Sequence, residues 1–432
     1  MTVTPHNTEP AIDEETDVGA VDATDSPVLA DSFAEYIQAW WKRVRGGQSG
    51  VLPVLIGLVI IVVIFQTQKS VFLSAGNLTN LLTQGAAYML LGMAEVFVLL
   101  LGEIDLSIGF VAAIAAFFTV WLSSSKGWPW AGAVVAGLAI AALIGAIQGL
   151  IIVRLRLPSF VVTLAGLLGL QGVLLLLIDK AGGSSGGTIS ITNPVVAGLV
   201  GANMAVVVGW IVMAASVAAY ALLLVVRDRS RRKSGLAVPP LGLTIAKIVV
   251  VAAAGVILVA ICNTNRGLGF TELKGVPWVV PFVVVILVAW TVLLARTRFG
   301  RYVYAIGGNA EAARRAGINL NRMRVTCFAL CSLTAGLAGI VYASRLGSIS
   351  NNVDGGQLVL YAVAAAVIGG ASLFGGQGKM VHALLGGLVI ATIDNGMGLI
   401  NLSAALKLIV TALVLLAAVT VDALARRGNT PG

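Results

Sequence analysis

Apolar runs of about 20 residues recur along the chain from residue 49 to residue 422, each broken by a short polar or glycine-rich interval. Roughly 20 apolar residues in a helix cross the hydrocarbon layer of a bilayer. Twelve windows fit: 49–66, 84–102, 106–123, 130–153, 159–178, 204–226, 242–262, 278–295, 324–344, 357–374, 380–400 and 405–422. The pattern predicts an all-α polytopic membrane protein of about 12 transmembrane helices. The range is 10–12, because the pairs flanking Asp105 and Gly375 can each be broken or re-entrant.

Cations sort along this pattern. With the N-terminus inside and the spans alternating, the inside loops collect 20 Lys and Arg, among them Arg154, Arg156, Arg227, Arg229, Arg231, Arg232, Lys233, Lys379, Arg426 and Arg427. The outside loops collect six: Lys69, Lys126, Lys180, Arg266, Lys274 and Arg345. The positive-inside bias predicts that both termini are cytoplasmic. The intervals at 179–194 and 344–357, rich in Gly, Ser and Asn, read as extracytoplasmic turns.

One inside loop stands out. The stretch 296–324 carries seven arginines and one carboxylate between two apolar runs. Its middle has helix signals: Asn309 as cap, Glu311 in the first turn, alanines at 310, 312 and 313, Arg314 and Arg315 near the end, and Gly317 as terminator. A helix this short is unstable alone in water and must pack on something. Ala312, Ala313 and Ala316 are expected to form a small flat face suited to a groove on another protein.

Composition removes the soluble alternatives. The chain has 432 residues, is 58% hydrophobic and 11% charged, and has a mean hydropathy of +0.97. A soluble protein of this length would carry about 25% charged residues. Residues 1–35 hold nine Asp and Glu and no Lys or Arg. That pattern lacks the basic start of a signal peptide, so 1–45 is expected to be a disordered acidic cytoplasmic tail. The transmembrane body would then span 46–425, with 426–432 as a second cytoplasmic tail. The net charge of +9 belongs to membrane-facing loops rather than to nucleic-acid binding. Cys262, Cys327 and Cys331 lie in apolar runs and read as small buried hydrophobes. No metal-ligand spacing is present.

Six motifs in order give a resemblance. They are "GEIDLSIG" (102–109), "LPSFVVTLAGL" (157–167), "FGRYVYAIGGNAEAARRAGI" (299–318), "GLAGIVYASRLGS" (336–348), "GGASLFGGQG" (369–378) and "DNGMGL" (394–399). Together they are similar to the membrane subunits of ABC importers for ribose, xylose and related monosaccharides, over about residues 50–425. The family signature G-G-x-D-L-S-V-G has Gly where this chain has Glu103. The additional pair at about 204–262 looks most like the xylose-type branch.

That resemblance implies a permease subunit, not an enzyme, that moves a monosaccharide, D-xylose first, into the cytoplasm of a multi-pass plasma-membrane assembly. It implies a second permease copy, separate ABC ATPase subunits that carry ATP and Mg, and an extracytoplasmic sugar-binding protein. The loops at 179–203 and 344–356 would face that binding protein. The chain itself supplies no phosphate cradle. The nearest approach to a Walker A sequence, "LFGGQGKM" (373–380), lacks the first Gly and has Met380 in place of Ser or Thr. The stretch 296–324 would be the coupling loop, with Asn309, Glu311, Ala312, Ala313, Arg314 and Gly317 meeting the ATPase.

Polar side chains within the spans are costly and mark candidate functional positions. Glu95 lies mid-span. Asp105 and Ser107 lie where Gly102 and Gly109 can break a helix, and Asp105 either caps the following helix or lines a path. Asp394 and Asn395 close a span; Asp394 either lines the path or pairs with Lys407. Gln84, Gln148 and Gln171 suit a neutral polyol or interhelical hydrogen bonds. Phe160 and Thr163 sit near Pro158, where a gate or plain packing is possible. Galactose, arabinose or ribose remain alternative cargoes. A secondary transporter driven by H⁺ or Na⁺ through Glu95, Asp105 and Asp394 is the rival class.

Overall fold

The computed structural model describes residues 52–181, 187–236, 238–267 and 271–427. The expected acidic tail at 1–45, Lys42, Arg43, Arg45 and residues 428–432 lie outside the described residues. Fifteen helices and two short strands occupy the described part. They run α1 (Leu52–Gln68), α2 (Ala75–Leu99), α3 (Ile108–Val120), α4 (Trp130–Leu155), α5 (Ser159–Lys180), β1 (Thr188–Ser190), α6 (Pro194–Gly201), α7 (Val206–Lys233) and α8 (Leu241–Asn263). There follow α9 (Val279–Arg296), α10 (Arg298–Gly308), α11 (Ala310–Arg315), α12 (Leu320–Leu346), β2 (Ser348–Ser350), α13 (Gly355–Ile368), α14 (Met380–Leu399) and α15 (Ala404–Arg427).

Among the described residues, nine helices are long and apolar enough to cross a membrane. They are α2, α3 with the π-helical turn Trp121–Ser125 that extends it, α4, α5, α7, α8, α9, α12 and α14. Three shorter apolar segments, α1, α13 and the first part of α15, complete the twelve expected windows. The chain is therefore a helical multi-pass membrane protein.

Burial separates the helices into an inner set and an outer set. In its apolar window α2 is 89% buried, whereas α7 is 6% and α8 11%. Helices α2, α3, α12, α13 and α14 form the centre, with α4 packed along α12. Small residues permit this closeness, as expected where packing rather than water drives helix association. A Cβ on Gly339 would collide with the Ala112 carbonyl, one on Gly386 with that of Ala365, and one on Gly145 with that of Phe328. Gly145 and Gly149 both seat α4 against α12. Helices α7 and α8 pack on each other as a peripheral hairpin, held to the rest through the α2 side of the bundle.

Two connections are not helical where hydropathy alone is continuous. Residues 100–107 fold back between α2 and α3, and residues 369–379 leave the end of α13 and lead into α14. Helix α13 has 14 residues, about 21 Å of rise, so this extended segment completes its path to the same end of the bundle as residues 100–107.

The loops of each end find one another. At one end β1 pairs antiparallel with β2, with Thr188 opposite Ser350. There the Ser124 hydroxyl oxygen accepts the Thr192 N–H at 3.0 Å, and Arg345 donates to Thr83 Oγ1 at 2.9 Å and Asn80 Oδ1 at 3.1 Å. Asn193 caps α6, whose Val200 N–H donates to Ser344 Oγ at 3.1 Å. Arg266 donates to Thr79 Oγ1 and to the carbonyls of Cys262 and Gly275. The opposite end gathers residues 100–107, 296–324 and 369–378.

Candidate functional site

The basic stretch folds as two helices rather than one. Thr297 caps α10, accepting the Gly300 N–H at 3.3 Å. Helix α10 turns Val303 and Ile306 inward and leaves Arg301, Tyr302 and Ala305 outside. Asn309 then caps α11, accepting the Ala312 N–H at 2.9 Å, as its position suggests. Gly317, with φ of +83°, takes the left-handed conformation that ends the helix. Glu311 accepts from Arg314 at 2.7 Å and from Arg315 at 3.3 Å. Its carboxyl is held below the usual carboxylate range chiefly by the Arg314 hydrogen bond, with Arg315 adding to it and slight desolvation opposing it.

The expected alanine face needs correction. Ala313 is 4% exposed and belongs to the chain's own core, beside Val303, Ile306 and Ile318. The cause is the tight turn after α11: Ile318 N–H donates to the Ala313 carbonyl, which draws Ala313 inward. Ala312 and Ala316 remain exposed with Glu311, Arg314, Arg315 and Gly317. The outward face of α11 is therefore mixed, with charge around two small side chains.

Beneath the two helices lies a junction of bare backbone. Gly376 N–H donates to the Leu100 carbonyl at 3.0 Å. A Cβ on Gly307 would strike that same carbonyl and the Gly376 nitrogen, and one on Gly375 would lie 3.0 Å from Gly102 N and from Gly307 O. Gly102, Gly375 and Gly376 all have positive φ, at +74°, +90° and +72°. Tyr304 donates to the Gly378 carbonyl at 2.7 Å, and Arg324 pairs with Glu103 at 2.7 Å. Residues from 100–107, 296–324 and 369–378 thus form one tightly apposed joint. Glu103, where the related signature has Gly, tethers the first of these segments to the end of the basic island formed by 296–324.

The polar residues within the spans sort into two clusters. The first lies beside residues 100–107. Glu95, Asp105, Ser107 and Thr163 are all fully buried, and Gln148 is nearly so. Asp105 N–H donates to Glu95 Oε1 at 3.2 Å. Asp105 Oδ1 accepts the Ser107 N–H at 2.9 Å and the Ser107 hydroxyl at 2.6 Å, and that hydroxyl lies 3.0 Å from Gln148 Oε1. Asp105 therefore braces the turn that leads into α3, bonding to the N-cap residue Ser107 rather than to an N–H of the helix itself. Thr163 donates to the carbonyls of Ser159 and Ile104 at 3.0 and 3.3 Å, tying α5 to the folded-back segment. Among the described residues Glu95 Oε2 and Asp105 Oδ2 have no hydrogen-bond partner.

The second cluster lies toward the paired-strand end. Asp394 accepts from Gln84 at 2.6 Å, Tyr88 at 2.8 Å and Tyr361 at 3.4 Å. Asn395 accepts from Asn77 at 2.9 Å and donates to Gln84 Oε1 at 3.4 Å. Gln357 donates to Tyr361 at 2.8 Å. In place of an Asp394–Lys407 ion pair, three neutral donors from two helices, α2 and α13, reach the carboxylate. Tyr88, Tyr361 and Asn77 were not singled out by sequence. Tyr88 carried a signal, since it sits one turn from Gln84 on the same helix face.

Phe160 and Gln171 join neither cluster. Phe160 is 55% exposed, and Gln171 is exposed on the same outer side of α5, without a hydrogen-bond partner among the described residues. Among the described residues no group of three His, Cys, Asp or Glu is placed to hold a metal ion.

The family model described as "Branched-chain amino acid transport system / permease component" matches residues 77–419. The xylose transport system permease protein XylH of Escherichia coli (strain K12) is 35% identical over 381 residues, 87% of this chain and 92% of the relative. XylH of Haemophilus influenzae (strain ATCC 51907 / DSM 11121 / KW20 / Rd) is 32% identical over 369 residues, 85% of this chain and 94% of the relative. The ribose import permease protein RbsC of Escherichia coli (strain K12) is 30% identical over 371 residues, 85% of this chain and 92% of the relative. No solved structure matches the chain.

Proposed function

Because the chain belongs to the permease-component family of branched-chain amino acid transport systems, we infer that it is the membrane subunit of an ATP-driven ABC importer for a monosaccharide. D-xylose is the first assignment, since relatives named for xylose transport match at 35% and 32% identity. Ribose is the next, from the relative named for ribose import; galactose and arabinose follow as sugars of similar chemistry. The chain itself is not an enzyme. The carrying observation is the backbone joint under the island: a force on α10 and α11 reaches, through Gly307, both folded-back segments that interrupt the central helices.

Separate ATPase subunits, holding ATP and Mg, grip the outward face of α11 at Ala312, Ala316, Glu311, Arg314 and Arg315. Asn309 and Gly317 set that face by fixing where the helix starts and ends. Ala313 acts from inside, by seating it. The opposite face, built on β1, β2 and α6, receives a sugar-loaded binding protein. All twelve apolar segments cross the plasma membrane, with the island, the end of α7 and both termini in the cytoplasm. The cation asymmetry supports this orientation.

A second copy of the chain packs along α5. An unpaired amide on a lipid-facing surface is costly, and Gln171 sits on such a surface. A neighbouring copy covers it or a water-filled path between copies wets it, with Phe160 at the cytoplasmic end as gate. The two buried clusters, led by Asp105 with Glu95, Ser107 and Thr163, and by Asp394 with Asn395, flank that path and hold its helices in register.

The test is uptake and reconstitution. A strain lacking this gene should lose uptake of one sugar across a monosaccharide panel and recover it with the gene restored. Purified protein should accumulate sugar in vesicles only with its ATPase and binding protein present. Accumulation driven by an ion gradient without the ATPase would establish the secondary-transporter reading instead.

A further inference from the structure

A groove of about 830 Å³ opens beside the island, between the last turn of α4 and the first turns of α12. Four guanidinium groups line it: Arg154, Arg156, Arg322 and Arg324. None of its lining residues is acidic. Arg324 is engaged with Glu103. Arg154, Arg156 and Arg322 are exposed and make no side-chain hydrogen bond or ion pair among the described residues. Three uncompensated cations converging on one groove repel one another unless an anion joins them.

Two further observations point the same way. Arg156 closes α4 with φ 54° and ψ 38°, a left-handed conformation that glycine adopts freely and a branched-off side chain does not. A strained backbone at such a position indicates that the side chain is wanted there. The N-terminal turn of α12 also borders the groove, and a helix N-terminus favours negative charge. The groove is not purely polar. Leu150, on the outer surface of α4, and Leu157, in the turn that follows it, are 46% and 40% exposed and border the groove.

We propose that this groove seats the phosphate of an anionic phospholipid headgroup, with the acyl chains lying along the α4 surface past Leu150. Cations at one end and exposed aliphatic side chains at the other match an amphiphile better than a free anion or an acidic protein loop. Basic pockets between membrane helices on the cytoplasmic side hold lipid headgroups in this manner. Assignment to the cytoplasmic leaflet rests on the orientation proposed above; headgroup binding does not.

Native mass spectrometry of the purified full chain, offered equal amounts of phosphatidylglycerol and phosphatidylcholine of the same chain length, tests the proposal. The wild type should retain phosphatidylglycerol over phosphatidylcholine by about tenfold. The triple variant R154Q/R156Q/R322Q should lose the preference, while R154K/R156K/R322K and the distant R229Q/R231Q/R232Q should keep it. No preference in the wild type, or an unchanged preference in the Gln variant, overturns the proposal. So does displacement of phosphatidylglycerol by matched inorganic phosphate, which would make the groove a free-anion site. Loss of ATPase co-purification by the Gln variant with lipid retention intact would make it a protein contact. A reversed membrane orientation would appear in the labelling experiment described below and would leave the headgroup preference unchanged.

Discussion

At the residue scale, the second polar cluster depends on Asp394 more than on any other side chain. Three donors from α2 and α13 end on its carboxylate. Leucine in its place would leave the Gln84 side-chain N–H and the Tyr88 hydroxyl without their acceptor, at about 1–3 kcal/mol for each stranded donor. Asparagine keeps one acceptor oxygen and should lose about half as much. Thermal unfolding of the purified protein in detergent should rank the variants wild type, Asp394→Asn, Asp394→Leu. Equal stability of the leucine variant would show that the network contributes nothing. Glu311 behaves oppositely, being on the surface. Its carboxyl is depressed by Arg314 and then Arg315, so the ion pairs are fully present above the ordinary carboxylate range and are lost as pH falls through the lowered value. Carboxyl-selective NMR of labelled glutamate should place its titration below that of a free glutamate, and high salt should move it back up. Sequence made Asp394 and Glu311 visible because charge is rare in a chain with 11% charged residues. It could not show which partners they take. Asp394 and Gln84 are 310 positions apart, and nothing local distinguishes a nearby Lys407 from a distant tyrosine.

Helices and their joints carry the next set of consequences. Hydropathy placed the long helices because lipid demands a continuous apolar stretch with its hydrogen bonds closed internally. It extended α3 and α13 into segments that are not helical, because an unwound backbone buried among glycines keeps the same apolar composition. The capping residues of α11 were legible, since Asn309 and Gly317 act through local geometry. The inward turn of Ala313 was not, because it depends on Ile318 closing the next turn. Tryptophan substitutions separate the two roles. Ala312→Trp should leave the protein folded in the membrane while reducing uptake at least tenfold and weakening ATPase co-purification. Ala313→Trp must force a large ring into a packed core and should lower the yield of folded protein itself. If both variants fold equally well, the burial of Ala313 is not structural. Gly307→Ala probes the joint. Its added methyl meets the Leu100 carbonyl and the Gly376 nitrogen, costing about 1–3 kcal/mol as the segments part. ATPase binding should persist while sugar-coupled ATP hydrolysis falls, because the grip is intact and the joint is not.

For the whole molecule, the two loop faces are chemically distinct, and this makes orientation measurable. Cys262, Cys327 and Cys331 are buried, so an introduced surface cysteine reports against a silent background. Asn352→Cys, beside β2, should react with a membrane-impermeant maleimide in intact cells. Arg231→Cys, near the end of α7, should react only after permeabilisation. The reverse pattern would invert the proposed orientation.

Helix α12 runs without interruption from Leu320, at the edge of the island, to Leu346, two residues before β2. Twenty-seven residues at 1.5 Å each make a shaft of about 40 Å. On the proposed reading, pressure on the paired strands at one end and a tug on α11 at the other would be felt by the same rigid rod, with no hinge between them to absorb either. Arrival of cargo on one side and the motor's stroke on the other would then be two hands on one piston.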